Sequence, residues 1–348
     1  MRLIRIIIFF IALFGLTPKS QAISFDLDSI AKWGKFAKFC VDTYYWGDRV
    51  FNTYDTAYVK GTGKKFNIKL TSQSWIDSYS LDMPEDVHMA MLSDVASNVG
   101  VHLSYLAVSV GYDMNINKFF NGYERTRKRV NFNFNCALFS ADFYIQNNDL
   151  TTKIRELRTP TMKERPDIKF NGMQTDRWGL DIYYFFNNKR YSQVAAFNYT
   201  RLQIKSQGSW YLGLSYCNQK YYFDFNSLPN EIIQYLPSEF IDNTYRADTR
   251  NYAIKGGYAF NWVPRKNWLI AFSESPLIGF NTGHVNDYYR KSVAISNLLR
   301  AGVAYNYRNL FVGLQASLYT NFARGQVSTL VGNVFSAEFS VGYRFNLW

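Results

Sequence analysis

Past residue 22 the chain has no apolar run near the roughly twenty residues that a membrane-crossing helix requires. A helical membrane protein is thereby excluded. Cysteine is scarce: Cys40, Cys136 and Cys217 are an odd set whose spacing suits neither a metal site nor a disulfide framework, so at least one thiol stays free. No Walker loop, dinucleotide fingerprint, zinc-protease signature or nucleophile elbow occurs, and the chain is expected to be non-enzymatic, with no cofactor and no metal. Cations exceed anions, with 39 Lys and Arg against 27 Asp and Glu and a formal net charge of +12. They are dispersed among tyrosines and asparagines, not gathered into a stripe. That argues against nucleic acid as a partner and for anionic lipid headgroups or lipopolysaccharide phosphates.

Aromatic residues are abundant, at 18% of the chain, with 27 Tyr and 29 Phe. Rings collect at membrane interfaces and in strands, so the excess points to the girdle of a membrane barrel. The first residues fit that destination. Arg2 and Arg5 precede the apolar stretch Ile6 to Leu16, which is too short to span a bilayer, and Ser20-Gln21-Ala22 places small residues at a cleavage position. Residues 1–22 are therefore read as a cleaved secretory leader. Residues 23–62 are expected to form a periplasmic helix and a lead-in. There Ile30, Trp33, Phe36, Ala37 and Cys40 recur at helical spacing, and Asp28 and Ser29 suit a cap.

From 63 to 348 the period changes to two. Phe335, Ala337, Phe339, Val341, Tyr343, Phe345 and Leu347 alternate with Ser336, Glu338, Ser340, Gly342, Arg344 and Asn346. One face is apolar and the other carries charge, over a length that suits a tilted membrane crossing. The same alternation recurs from Phe66 to Leu70, Val99 to Tyr105, Leu106 to Tyr112, Val130 to Phe134, Phe139 to Ile145 and Leu180 to Phe186. It continues near Tyr191 to Arg201, from Trp210 to Tyr216, Tyr221 to Phe225, Tyr252 to Trp262, Trp268 to Phe272, Leu299 to Tyr305 and Leu310 to Leu318. Short turns near Tyr105, Ala137, Asn188, Pro264 and Arg308 alternate with long connections such as Thr71 to Ser97 and Gly279 to Ser296. The expectation is an all-β, up-and-down antiparallel transmembrane barrel of twelve or fourteen strands, both termini periplasmic, in the outer membrane of a Gram-negative bacterium. An open edge in lipid would strand a row of backbone groups, so the last strand should close on the Phe66 strand. Ser340, Gly342, Phe345 and Leu347 match the terminal pattern read by barrel-insertion machinery, with Trp348 as the terminal aromatic.

Several stretches resemble a Bacteroidetes-type outer-membrane domain of unknown function. They are Tyr54-Asp55-Thr56-Ala57-Tyr58-Val59, Phe66 to Leu70, Arg165-Pro166-Asp167, Tyr184 to Asn187, Lys205 to Ser209, Gly256-Gly257-Tyr258 and Lys266-Asn267-Trp268. The resemblance implies an outer-membrane β-barrel and transfers no activity or site residue.

Chemistry-bearing candidates are few. His102 and Ser104 share the polar face of one strand near a short turn, where a lumen-lining role outweighs catalysis. Asp82, Glu85, Asp86 and His88 fit no defined calcium loop, and His284 stands alone. If the phase is right, Lys69, His102, Asp113, Asp142, Asp181, Lys255, Arg300, Glu338 and Arg344 point into the lumen, where charge must pair or meet water. The leading function is a channel or transporter for a small or amphipathic solute. The alternatives are an interaction barrel whose loops bind surface partners or lipopolysaccharide and, last, a lipid enzyme.

Overall fold

The computed structural model describes residues 53–346 apart from 84, 117–126, 149–151, 161–162, 165–166, 229, 234–243, 286–287 and 325–328, with nine positions between 32 and 46. Val50–Asn346 form one compact unit, and Met1–Arg49 with Leu347–Trp348 belong to another. The leader, the helix positions Ile30, Trp33, Phe36, Ala37 and Cys40, and Leu347 and Trp348 lie outside the described residues, so the structure gives the N-terminal helix no support.

The strands begin with β1 (Val59–Gly61), β2 (Phe66–Met83), β3 (Val87–Ser93), β4 (Ala96–Tyr105), β5 (Val108–Asn115) and β6 (Arg127–Asn135). Next come β7 (Phe139–Asn148), β8 (Thr152–Arg158), β9 (Lys163–Glu164), β10 (Ile168–Phe170), β11 (Met173–Phe185) and β12 (Arg201–Gln203). The last are β13 (Gln207–Asp224), β14 (Thr244–Trp262), β15 (Trp268–Val285), β16 (Tyr288–Tyr307), β17 (Leu310–Arg324) and β18 (Thr329–Phe345). Helix α1 spans Gln193–Phe197 and α2 spans Asn230–Ile233.

Twelve of these strands make a closed antiparallel wall, in the order β2, β4, β5, β6, β7, β11, β13, β14, β15, β16, β17, β18. Strand β18 pairs back onto β2 from Thr329↔Asp82 to Phe345↔Phe66, so no edge remains. The burial pattern is inverted relative to a soluble protein. Leu214 is 66% exposed on the outside, whereas Arg344 on the inside is 1% exposed. Leu70, Val101, Val110, Leu212 and Phe339 also face outward and exposed. An exterior that is apolar all round is stable only against lipid, which makes this a transmembrane barrel of the outer-membrane type. Trp178, Tyr216, Tyr252 and Phe280 form a continuous row of rings on four successive strands, with centroid spacings of 5.1, 5.1 and 5.5 Å. At the other end Trp210, Trp262 and Trp268 mark the second girdle.

Two expected strands are absent, which reduces fourteen to twelve. Tyr221 to Phe225 does not return as a hairpin but largely continues β13, which runs unbroken to Asp224 before a short 3-10 turn. Tyr191 to Arg201 is no crossing: it holds α1 and turns inward. The connections expected to be long are partly strand as well, since β2 runs to Met83, β15 to Val285 and β16 starts at Tyr288. Where strands leave the bilayer, neither face must be apolar. The alternation that marks them then fades, as at the outward Asp248 and Arg250.

Beyond the wall, β3, β8, β9 and β10 extend the sheet from the far end of β2. Their inner face joins Tyr79, Leu81, Met89, Ile154, Leu157 and Phe170 to Met173 of β11 and Phe223 of β13 in one apolar cluster. Strand β13 stands half-way round the ring from β2. The cluster therefore bridges the lumen at the loop end.

Candidate functional site

The turn end of the lumen is bridged by different means. Residues 186–206, between β11 and β13, fold back inside the wall as a floor. Four wall strands hold it through inward side chains. Asn67 Nδ2 of β2 donates to the Asn198 carbonyl at 3.1 Å, and Asn261 Nδ2 of β14 to the Ser192 carbonyl at 2.9 Å. Gln315 Nε2 of β17 reaches the Phe197 carbonyl at 3.1 Å, and Arg344 Nε of β18 the Tyr199 carbonyl at 2.7 Å. Val194, Ala195, Ala196 and Phe197 of α1 are buried, and Ala195–Phe197 pack on Leu269, Ala271, Ala304 and Phe311 of the wall. The Tyr199 ring stacks on Phe311 at 4.6 Å, and burial pushes its hydroxyl's pKa up, which keeps it a neutral hydrogen-bonding group. The lead-in seals the floor from below: β1 pairs with β12, and Asp55 meets Arg190 at 3.5 Å.

Between floor and cover lies a polar cavity of about 620 Å³. Of the nine side chains assigned to the lumen from sequence, Lys69, His102, Asp113 and Asp142 line it, as do Asp181, Lys255, Arg300 and Glu338. Arg344 lies lower, spent on the floor and over the Phe311 ring at 4.7 Å. Much of the charge is paired: Lys69 with Glu338 at 3.1 Å and His102 with Asp113 at 3.2 Å across adjacent strands, and Lys255 of β14 with Asp181 of β11 at 3.2 Å over the intervening β13. Asp142 accepts the Tyr183 hydroxyl and faces Asp181 directly across the β7–β11 ladder.

The alternating segments read from sequence begin at Val130 and at Leu180, so they leave out two cations, Arg129 and Arg177. Extending each alternation would have found them, because Arg129 shares the phase of Asn131 and Arg177 that of Asp181. Both line the cavity with Arg300. Among the described residues, none of the three has a carboxylate within ion-pair distance. Arg129 Nε donates to Asn131 at 2.9 Å. Arg177 donates to Gln146 at 2.8 and 3.0 Å and lies 5.7 and 5.9 Å from the Tyr144 and Tyr319 ring centres. Tyr319 is on the far wall, so this contact crosses the lumen. Arg129 lies within electrostatic reach of Arg177 and Arg300, and also of Asp113 and Glu338. Six Lys and Arg and four Asp and Glu line the cavity, a positive surplus.

The other candidates stay apart. Ser104 is buried and accepts from Ser109 at 2.8 Å. Asp82 and His88 pair at 2.6 Å across β2 and β3, and His284 lies against Tyr289, all at the loop end. No group of three His, Cys, Asp or Glu among the described residues is placed to hold a metal. In the terminal pattern, Ser340 is buried and faces inward, whereas Phe345 stacks on Phe66 at 5.5 Å where the ring closes.

The sequence profile of a family described as a Domain of unknown function (DUF4421) matches residues 53–345. No curated protein sequence matches the chain. Among solved structures, the outer membrane protease OmpT of Escherichia coli is similar at 7% identity and a TM-score of 0.36, over 82% of this chain and 98% of that one. The toluene transporter TodX of P. putida is similar at 7% identity and a TM-score of 0.32, over 86% and 98%. OprG of Pseudomonas aeruginosa is similar at 10% identity and a TM-score of 0.26, over 84% and 100%. A protease and a transporter at comparable distance say nothing of activity.

Proposed function

The chain belongs to the DUF4421 family, and we propose that it is a gated outer-membrane channel or transporter for a small or amphipathic solute that bears an anionic group. One observation carries this reading: a solute-sized polar cavity runs inside the wall and holds three arginines that, among the described residues, have no carboxylate within ion-pair distance. Charge in a low-dielectric barrel is costly unless water or a ligand meets it. A purely structural interior would have placed acids within ion-pair distance of those arginines, as it does for Lys69 and Lys255. The paired residues hold the wall rigid, and the unpaired ones offer forked donors to a carboxylate or phosphate.

In this reading the turn end and both termini face the periplasm and the loops face outward. The apolar band contacts outer-membrane lipid, basic loop residues contact lipopolysaccharide phosphates, and Ser340, Gly342, Phe345 and Leu347 engage the insertion machinery. The floor is the gate. His102 is taken up by Asp113 and Ser104 by Ser109, which leaves no nucleophile–base pair there and favours transport over hydrolysis.

Conductance of the reconstituted protein in planar bilayers tests the proposal. Anion-preferring current should rise when the floor residues 190–204 are excised. A correctly folded barrel that stays silent with and without the floor would overturn it. The sheet of β3, β8, β9 and β10 supports a second reading, a docking platform for a surface partner, because these strands continue the sheet beyond the closed wall at the loop end. Excision of Thr152–Phe170 would then abolish partner binding and leave conductance intact.

A further inference from the structure

Glu274 stands where the wall is otherwise apolar. It is an exposed outward residue of β15, six residues from both Trp268 and Phe280 along the strand, and it faces Tyr258 in register. Among the described residues no other outward side chain between the girdles is charged. A carboxylate at that depth is unfavourable, and an intramembrane ionisable group marks function by default. Its neighbour on the same face is Asn297, whose Nδ2 donates to Glu274 Oε1 at 3.3 Å.

The residue pairing is interrupted beside it. The β14–β15 ladder pairs Lys255↔Leu277 and Tyr258↔Glu274, but Gly256 and Gly257 do not pair with Pro276 and Ser275 between them. On its other side β15 stays paired through Ser275↔Leu298 and Pro276↔Asn297. Pro276 has no N–H to give the ladder, and in lipid every unmade backbone bond is costly, so this seam is the weakest stretch of the β14–β15 junction. From inside, the Tyr211 hydroxyl donates to the Glu274 carbonyl at 2.8 Å and contacts Ser275 Oγ. From outside, a Cβ at Gly256 would meet no atom nearer than 3.5 Å, so the glycine leaves a notch. At Gly257 a Cβ would instead collide with the Glu274 carbonyl oxygen, so the two backbones stay in contact and the seam is closed in this structure. The cavity reaches Lys255 and Leu277, the pair that borders the break.

We propose that the β14–β15 seam is a lateral port between lumen and bilayer, latched by Tyr211. It takes an amphiphile whose head group carries a hydrogen-bond donor for Glu274 and Asn297 as well as an anionic group for the lumen arginines. The solute class rests on the transport reading above; the port itself is tested without any transport. Glu274→Cys is made in a background with Cys40, Cys136 and Cys217 replaced by alanine. It is reconstituted in phosphatidylethanolamine–phosphatidylglycerol vesicles and exposed to a charged, membrane-impermeant methanethiosulfonate.

Reached through the lumen, Glu274→Cys labels an order of magnitude faster than Ile278→Cys on the same face. Adding Pro276→Val, which restores the ladder donor, slows it toward the control, and adding Tyr211→Phe speeds it. Heat-modifiable gel mobility identifies the folded fraction, from which alone rates are taken. Labelling of Glu274→Cys no faster than Ile278→Cys, or a rate indifferent to Pro276→Val, overturns the port. Silent bilayer recordings overturn the transport reading and leave these labelling rates to decide the port.

Discussion

Replacing Lys255 by methionine should destabilise the barrel more than any other single change to its paired lumen charges. Lys255 is 3% exposed, and its ammonium sits 3.2 Å from Asp181 and 4.8 Å from the Tyr183 ring centre. Asp181 faces Asp142 in register on β7, so without the lysine two like charges oppose each other on one face. Removing one partner of a buried pair costs about 3–5 kcal/mol, and the polar cavity alongside admits water, which favours the lower end. With m near 3 kcal/mol per molar urea for a chain of this size, about 3 kcal/mol moves the unfolding midpoint down by about 1 M. The assay is urea unfolding in detergent micelles, followed by tryptophan fluorescence and gel mobility. Lys255→Met/Asp181→Asn should recover most of the loss, since it leaves no lone charge, whereas independent sites would add. A Lys255→Met midpoint equal to wild type, or a double variant as damaged as the two singles summed, would refute the reasoning.

Arg344→Met removes a charge-assisted bond of about 1.5–3 kcal/mol from the floor, and single-channel recording should show the open state ten- to a hundredfold more populated. Arg177→Gln with Arg300→Gln should abolish anion preference in reversal-potential measurements while gel mobility stays that of a folded barrel. Leu214→Arg places a cation on the lipid face near mid-band and should cost about 2–4 kcal/mol in vesicle-folding equilibria; a neutral effect would contradict the membrane-embedded exterior.

The wall was legible because lipid enforces a local rule. Every second residue of a crossing must be apolar, so Phe66 to Leu70, Val99 to Tyr105 and the terminal strand declare their phase within a few residues. The tight turns are local too: Leu106, Asn267 and Arg308 take positive φ where two strands reverse. The same rule also put the nine named lumen side chains on the inward face, since a residue's face follows from its parity alone. Glu274 was within reach of it, had the Trp268 phase been continued past Phe272.

Tertiary structure alone decided the rest. Val194 to Phe197 are as apolar as a strand, and nothing local says that they turn inward to rest on Leu269, Ala304 and Phe311, which are 70 or more residues away. The count of twelve depended on that turn and on whether β13 stops at Tyr216 or runs on. Pairing depended on it as well, because parity fixes which way a side chain points but not how far along the lumen it stands. Lys255 meets Asp181, and Arg177 meets the Tyr319 ring, through registers set by ring closure. The sequence by itself therefore determined a charged interior within an apolar wall. Only the closed fold determined which charges pair and which arginines have no carboxylate within ion-pair distance among the described residues.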